Sequence, residues 1–493
     1  MIRLARRQEP VTEANLSQLL EGCDAAPGLD RDVVVSGIAH RSDSVRPGDA
    51  FFCISGFKAD GHSYAEDAVA RGAAALVCTR PLSLPVPQAV VPDTRRALAL
   101  ASARFFGEPS LSVDVAGITG TNGKTTTTYL LDSIFRAAGR TTGIIGTVET
   151  RIADESLSSA NTTPESADLQ ALLARMRAEG VTGVSMEVSS HAIDLHRVDG
   201  VHFAVAAFTN LTQDHLDYHS TLEEYWTVKR RLFTDLDVAE RVANIDDARG
   251  RQLADEVPVR WTVGRHECAV VRALDERPGP ASTEFTLVTP LGTASVELPL
   301  AGAYNVSNAL VAAGCALALG IGLGAVVAGL ERAPQVPGRL ERVDEGQPFT
   351  VLVDYAHTPD SLAKAIAAVR AVTAGRVITV FGCGGDRDPE KRPLMGGAAG
   401  EGSDEVVVTS DNPRSEDPVG IILAIEDGLR PTQTPYRVEV DRRAGIRAAL
   451  RIAAEGDAVL IAGKGHEDYQ IFADRRIHFD DREVAREELR SLC

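Results

Sequence analysis

The chain has 493 residues, too many for one ordinary core, and its length suggests roughly three folding units. Apolar residues make up 44% and charged residues 24%, a globular composition that excludes wholesale disorder. A formal net charge of -18 excludes a general binder of nucleic acid or anionic membrane, both of which need a wide positive field, so any phosphate site must be built locally.

The opening segment MIRLARRQEP is positively charged but has no apolar stretch behind it, so a secretory signal is not expected. Cys23, Cys53, Cys78, Cys268, Cys315, Cys383 and Cys493 are scattered without a C-x-x-C pair, as suits a reducing compartment. A cytoplasmic protein is expected. Residues 1–110 read as a small α/β unit, with strands at Ala50 to Ile54 and Ala75 to Cys78 and a helix from Ala97 to Phe106.

From Val113 an alternating strand, a Gly-rich turn and a helix with Leu130, Leu131, Ile134 and Phe135 at helical spacing predict the opening of a nucleotide-binding unit spanning 111–337. Strands at Gly183 to Met186 and Val205 to Phe208 each end in polar residues, the pattern of a doubly wound sheet with chemistry at its strand ends. Ala309 to Leu330 is uncharged and long enough to span a bilayer, yet it is rich in Ala and Gly and broken by GIGLG. Two packed helices are expected there. Val336-Pro337-Gly338-Arg339 is a turn, and strands at Thr350 to Val353, Val377 to Phe381, Val406 to Thr409 and Ala458 to Ala462 alternate with helices through a third unit, 338–493.

Gly120-Thr121-Asn122-Gly123-Lys124-Thr125-Thr126, between strand and helix, has the makings of a phosphate cradle: backbone N–H groups at a helix start, a neutralising Lys124 and a Thr125 hydroxyl for Mg²⁺. It departs from the common pattern because Ile118 occupies the first Gly position. Glu187 follows an apolar strand where a hard oxygen ligand can reach Mg²⁺, and His215 follows the next strand. On their own, Glu187 also reads as a capping carboxylate, His215 as a structural histidine and Lys229 as a solvated helix residue in a basic run. Ser189, Ser190 and His191 lack a nucleophile elbow, and His215 and His219 lack the Glu of H-E-x-x-H, so neither hydrolase nor zinc chemistry is expected.

Together these motifs resemble the Mur ligase family, whose members share the G-T-x-G-K-T loop, the strand-end Glu and the strand-end His. The likeness covers nearly the whole chain. It is sharpened by NTTP at Asn161 to Pro164, SSHAIDLHRV at Ser189 to Val198, DYAHTPDSL at Asp354 to Leu362, and by GCGGDRD, DNPR and GKGHEDYQ. These strings resemble the members that add an amino acid to UDP-N-acetylmuramoyl-L-alanyl-D-glutamate. The implied fold is α/β in three domains: a UDP-sugar-binding N-terminal domain, a central P-loop-type doubly wound ATPase and a Rossmann-like C-terminal domain that binds the amino acid.

The resemblance implies roles residue by residue. Lys124, Glu187, His215 and Lys229 are catalytic, and Thr125, Glu187, His215 and an N6-carboxylated Lys229 hold Mg²⁺. ATP contacts fall on Gly120 to Thr126, Asn305, Arg339, Asp354 and His357. Ser42, Asn161, Thr162, Thr163, Ser189 and Arg197 match UDP-sugar dipeptide positions, although Leu195 stands where relatives place Gln, and Arg41-Ser42-Asp43 where many have Asp-Ser-Arg. Arg387, Asp411, Asn412, Pro413, Arg414, Gly463 and Glu467 match the amino-acid pocket. Arg414 of DNPR points to meso-diaminopimelate rather than L-lysine, because a guanidinium pairs with the second carboxylate that lysine lacks. A monomer without nucleic-acid or membrane partners is expected, acting through an acyl-phosphate. Two other readings stay open: a folylpolyglutamate synthase, which has a related loop but lacks the DNPR and SSHA set, and a nucleotide-dependent switch without ligase activity.

Overall fold

The computed structural model describes residues 13–25, 33–56, 59–157, 161–214, 218–279 and 281–492, and three sheets organise them. In the first, Gly37–Ala39, Asp49–Phe52, Ala75–Cys78 and Gln88–Val90 lie side by side in chain order, all parallel. Ala75–Cys78 is buried at every position, as an apolar run in a covered parallel sheet must be. The Thr94–Phe105 helix shares this core through Ala97, Leu98 and Ala101. Its first turn is capped by the Asp93 carboxylate, which accepts from the N–H groups of Arg95 and Arg96.

The central sheet has eleven strands, and Asp114–Thr119 lies at its heart, parallel to Gly183–Glu187 on one side and Phe203–Phe208 on the other. The chain fills the first side with Thr142–Ile145 and Gly183–Glu187, then crosses to the second with Phe203–Phe208 and Val238–Asn244. That reversal opens a crevice beyond the carboxyl ends of the three middle strands. Leu130, Leu131, Ile134 and Phe135 are fully buried on the Lys124–Ala137 helix, as their spacing requires. Val271–Pro278 joins the sheet parallel to Trp261–Gly264, and Thr283–Thr289 and Gly292–Leu298 continue it antiparallel, an addition absent from the expected elements even though TEFTLVT alternates as a half-buried strand does.

The uncharged stretch near residue 320 forms two helices, Ala303–Ala318 and Leu323–Glu331. The second lies so close to Lys124–Ala137 that a Cβ on Gly329 would fall 2.4 Å from the Ile134 Cα, and Ser133 donates to the Gly329 carbonyl at 2.7 Å. Among the described residues no helix is long and apolar enough to cross a membrane.

The third sheet runs Glu341–Arg342, Thr350–Asp354, Ala458–Ala462, Val377–Phe381, Glu405–Thr409 and Tyr436–Glu439, parallel except for the first. The turn leading into it is pinned to the GKGHEDYQ loop. Gly338, at φ 64°, packs backbone to backbone on Gly465, where a Cβ would fall 2.2 Å from the His466 nitrogen.

Candidate active site

The strand Asp114–Thr119 delivers the chain into Gly120–Gly123 at the crevice, and Lys124 starts the following helix. The tightness of this turn demands glycine: Gly120 is at φ 148° with Thr209 Oγ1 at 1.9 Å from where a Cβ would sit, and Gly123 is at φ 87° with Asn308 Oδ1 at 2.2 Å. Lys124 Nζ folds back to donate to the Gly120 and Thr121 carbonyls, both at 2.9 Å. Burial depresses its pKa below the usual lysine value. An anion in the cradle would replace those carbonyls and favour the charged form of the ammonium.

Thr125 Oγ1 donates to the carboxylate of Glu187, 3.1 Å from either oxygen, and accepts from an Arg339 N–H at 3.0 Å. Glu187, 1% exposed, also accepts from the Thr147 N–H at 2.8 Å and the Thr147 hydroxyl at 3.2 Å. A hydroxyl and a carboxylate converging at a phosphate loop are the hard oxygen donors that Mg²⁺ takes together with phosphate oxygens and water. His215 lies outside the described residues.

Lys229 emerges from the Leu222–Thr234 helix into the same floor. It is 1% exposed, donates to the Gly120 carbonyl at 3.0 Å and sits 4.6 Å from the centre of the Tyr225 ring. Burial first, and then the charge of Lys124, hold its pKa well below the lysine range, while Asp214 opposes the shift. A basic run suggested a solvated helix face, but the amphipathic helix turns this lysine inward. A lysine whose pKa is depressed in this way gives up its proton more readily, and the free amine is a competent nucleophile.

Three cavities of about 280, 450 and 820 Å³ meet here and share Tyr355 and His357 in their walls. The smallest is bounded by Asn122, Gly123, Thr125 and Thr126 and by Tyr304, Ser307 and Asn308 of the Ala303–Ala318 helix. Asn305 stands behind that wall, accepting from the Asn308 amide at 3.2 Å and donating to the Ala301 carbonyl at 2.8 Å. Asp354 is in the wall, but its carboxylate accepts from the N–H groups of Leu340 at 2.7 Å and Ala356 at 2.8 Å. Burial raises its pKa. His357 donates from Nδ1 to the Tyr355 carbonyl at 2.8 Å, which leaves Nε2 as an acceptor, and burial keeps the ring below the usual histidine range.

The middle cavity collects Lys124, Glu187 and Lys229 with Asn161, Thr162, Thr163, Ser189, Leu195 and Arg197. Thr163 donates to the Glu187 carbonyl at 2.8 Å, and Ser189 caps the Ser190–Asp194 helix by accepting from Ala192 at 3.1 Å. Ser42 is not brought to this group. It lines none of the three cavities, and its neighbours Arg41 and Asp43 form an exposed two-point pair at 3.1 and 2.7 Å.

The largest of the three cavities is lined by Arg387, Arg414, Asp411, Asn412, Gly463 and Glu467, among other charged side chains. Arg414 donates to the Gly385 carbonyl at 2.6 Å, and Glu416, a neighbour available as its surface partner, is taken by Arg392 at 2.8 Å. Pro413 is buried outside that wall, its carbonyl against Gly385. Beside the lining residues lies Lys464, 0% exposed, donating to the Asn412 side chain at 3.1 Å and the Tyr469 carbonyl at 2.6 Å, with Asp411 and Glu467 each 3.6 Å away. Burial opposes the charge on Asp411, but Lys464 and Arg442 hold its pKa below the ordinary value; burial and Asp411 together raise that of Glu467. Tyr355, Asn308, Asp214 and Lys464 are site residues that the sequence reading passed over. Tyr355 and Lys464 stand inside DYAHTPDSL and GKGHEDYQ, so position within those strings was the available signal.

Comparison with known proteins matches residues 34–105 to "Mur ligase family, catalytic domain", 118–316 to "Mur ligase middle domain" and 338–465 to "Mur ligase, glutamate ligase domain". A UDP-N-acetylmuramoyl-L-alanyl-D-glutamate--2,6-diaminopimelate ligase from Geobacillus thermodenitrificans is 50% identical over 90% of this chain and 93% of its own. The protein of that name from Solibacter usitatus is 48% identical over 92% of this chain and 94% of its own. A solved structure of a ligase of the same name superposes with a TM-score of 0.69 at 31% identity, covering 97% of this chain and 99% of that one.

Proposed function

The chain belongs to the Mur ligase family, and we propose that it is the ATP-dependent ligase that adds meso-diaminopimelate to the D-glutamate of UDP-N-acetylmuramoyl-L-alanyl-D-glutamate in peptidoglycan precursor synthesis. The observation that carries this reading is the meeting of a phosphate-loop cavity, a polar substrate cavity and a cavity lined by both basic and acidic side chains, Arg387, Arg414, Asp411 and Glu467 among them, at Tyr355 and His357. Diaminopimelate carries an ammonium and a carboxylate at each end. A cavity lined by charges of both signs can pair with both ends, whereas lysine has no second carboxylate to offer an arginine there.

The γ-carboxylate oxygen of D-glutamate attacks the γ-phosphorus of ATP, the bond to ADP breaks, and an acyl-phosphate forms. Lys124 moves from its loop carbonyls to the phosphoryl oxygens, where charge spreads in the transition state. The deprotonated amine of diaminopimelate then attacks the acyl carbon and phosphate departs with its bonding pair. Thr125, Glu187, His215 and a carbamate on Lys229 would hold Mg²⁺, which would supply neutralisation of phosphate charge. The neutral amine of Lys229 forms that carbamate by bonding to the carbon of CO₂ and losing a proton. Asn161, Thr162, Thr163, Ser189 and Arg197 bind the UDP-sugar dipeptide, and Tyr355 and His357 shield the acyl-phosphate from water. The enzyme works as a cytoplasmic monomer.

The purified chain should release ADP and phosphate only when ATP, Mg²⁺, UDP-sugar dipeptide and diaminopimelate are all present, with the tripeptide product identified by mass. Lys124→Ala should abolish that release without unfolding. ADP release that ignores either cosubstrate, or none with all four present, would overturn the assignment.

A further inference from the structure

Glu165 occupies the N-cap position of the Ser166–Ala178 helix, yet its side chain does not cap it. The carboxylate turns instead between two guanidiniums from different parts of the chain. Arg197 Nη2 forms an ion pair with Oε1 at 2.8 Å, and Arg95 Nη1 donates to Oε2 at 3.2 Å. The side chains of Arg95, Glu165 and Arg197 are only 15%, 16% and 16% exposed, so this is a part-buried row of alternating charge.

The two ends of the row reach different places. Arg95 stands in the first turn of Thr94–Phe105 and donates from Nε to the Ser55 carbonyl at 3.0 Å, so it belongs to the first sheet's unit. Arg197 lines the cavity that holds the phosphate loop and donates from Nη1 to the Thr163 carbonyl at 3.1 Å. Its Nε–H is buried without a partner, a donor left over for a ligand. A second link runs alongside, where the His196 ring sits 2.6 Å from the Asp199 carboxylate and 3.5 Å from that of Asp93, the cap of the Arg95 helix.

We propose that Glu165 is a positioning residue that aims Arg197 at the UDP-sugar dipeptide and ties that aim to the placement of the first domain. The inference rests on the substrate reading given above. Without the carboxylate, Arg95 and Arg197 are like charges facing each other in a poorly solvated gap, and Arg197 keeps one of its two anchors. A guanidinium that swings away loses the fixed fork on which carboxylate and diphosphate recognition depends.

Steady-state kinetics of Glu165→Gln test this, because glutamine keeps the shape and removes the charge. KM for UDP-N-acetylmuramoyl-L-alanyl-D-glutamate should rise about tenfold, while kcat and the KM values for ATP and diaminopimelate stay within roughly twofold. Arg95→Met should shift the same constant in the same direction, and the double variant should be no worse than Glu165→Gln, since both act on one row. Arg95→Met also carries the test alone should the glutamine variant fail to fold. An unchanged KM for the UDP-sugar dipeptide, an equal rise in all three KM values, or additive effects in the double variant would each overturn the proposal. Wild-type turnover in the same assay separates a failure of this inference from a failure of the substrate assignment.

Discussion

Thr125 Oγ1 stands 3.1 Å from both carboxylate oxygens of Glu187, and Arg339 donates to the same hydroxyl at 3.0 Å. One atom therefore joins the phosphate loop, the end of the neighbouring strand and the turn that leads into the third sheet. Glu187→Gln should retain the fold, because the shape and most hydrogen bonds persist, but should lose about a hundredfold or more in ADP release. Titration with Mg²⁺ checks the cause. Wild-type rates at ordinary Mg²⁺ would show that Glu187 merely braces Thr125 and Thr147.

Burial of Lys229 works against stability, and the proposed function gives this lysine a role in activity. Its pKa lies well below the ordinary 10.5 through burial and the nearby Lys124, so the unfolded chain holds a proton that the native state lacks. In CO₂-depleted buffer the native state therefore gains stability as pH rises toward the ordinary lysine value. Lys229→Met, with no ammonium to desolvate, should melt above the parent at neutral pH, with the gap closing toward about pH 10. It should also be inactive, and Lys229→Ala should be partly rescued by short carboxylic acids. A parent more stable than the Met variant across that range would contradict this account.

Under the proposed function, Arg414 is the residue expected to select the amino acid. Its guanidinium is held to the Gly385 carbonyl at 2.6 Å and lines the cavity with Asp411 and Glu467. Removing it should cost about 2 to 5 kcal/mol of diaminopimelate binding, thirtyfold or more. Competition between diaminopimelate and lysine decides the matter: equal use by the wild type, or an unaltered diaminopimelate KM in Arg414→Ala, would dismiss the pocket reading.

Arg442 and Asp481 form a two-point pair at 2.7 and 2.6 Å with neither side chain exposed. Arg442 also donates to the Ser410 and Ala462 carbonyls at 3.2 and 2.9 Å, the residues just before Asp411 and Gly463. Asp481→Asn should destabilise the chain by about 3 to 5 kcal/mol, because it leaves a buried guanidinium without its counter-charge. Urea unfolding measures this. A loss below about 1 kcal/mol would mean that water or another carboxylate replaces Asp481.

Much of the site was legible because its chemistry is local. Gly120 to Thr126 works through consecutive backbone groups, so spacing alone announces it, and Glu187 is legible as the polar stop of an apolar strand. Burial ran against local pattern elsewhere. Lys229 lies in a basic run yet faces inward, and Asn305 braces Asn308, which lines the cavity one helical turn on.

The sequence by itself determined the strand, glycine-rich turn and helix around Gly120 and, through short motifs in a fixed order along the chain, the family, while strands such as Thr283–Thr289 went unread. Tertiary structure alone decided the pairings: Arg339 on Thr125, 214 positions apart, Arg95 on Glu165, 70 apart, and Arg442 on Asp481, 39 apart. It also decided that Ser42 lines none of the three cavities and that Lys464 is buried with no exposure beside the lining residues Asp411, Asn412 and Glu467. The reason is physical. A charge finds its partner through the packing of sheets and helices whose separation in space has no counterpart in chain spacing, and burial, which gives such a pair its energy, belongs to the assembled fold.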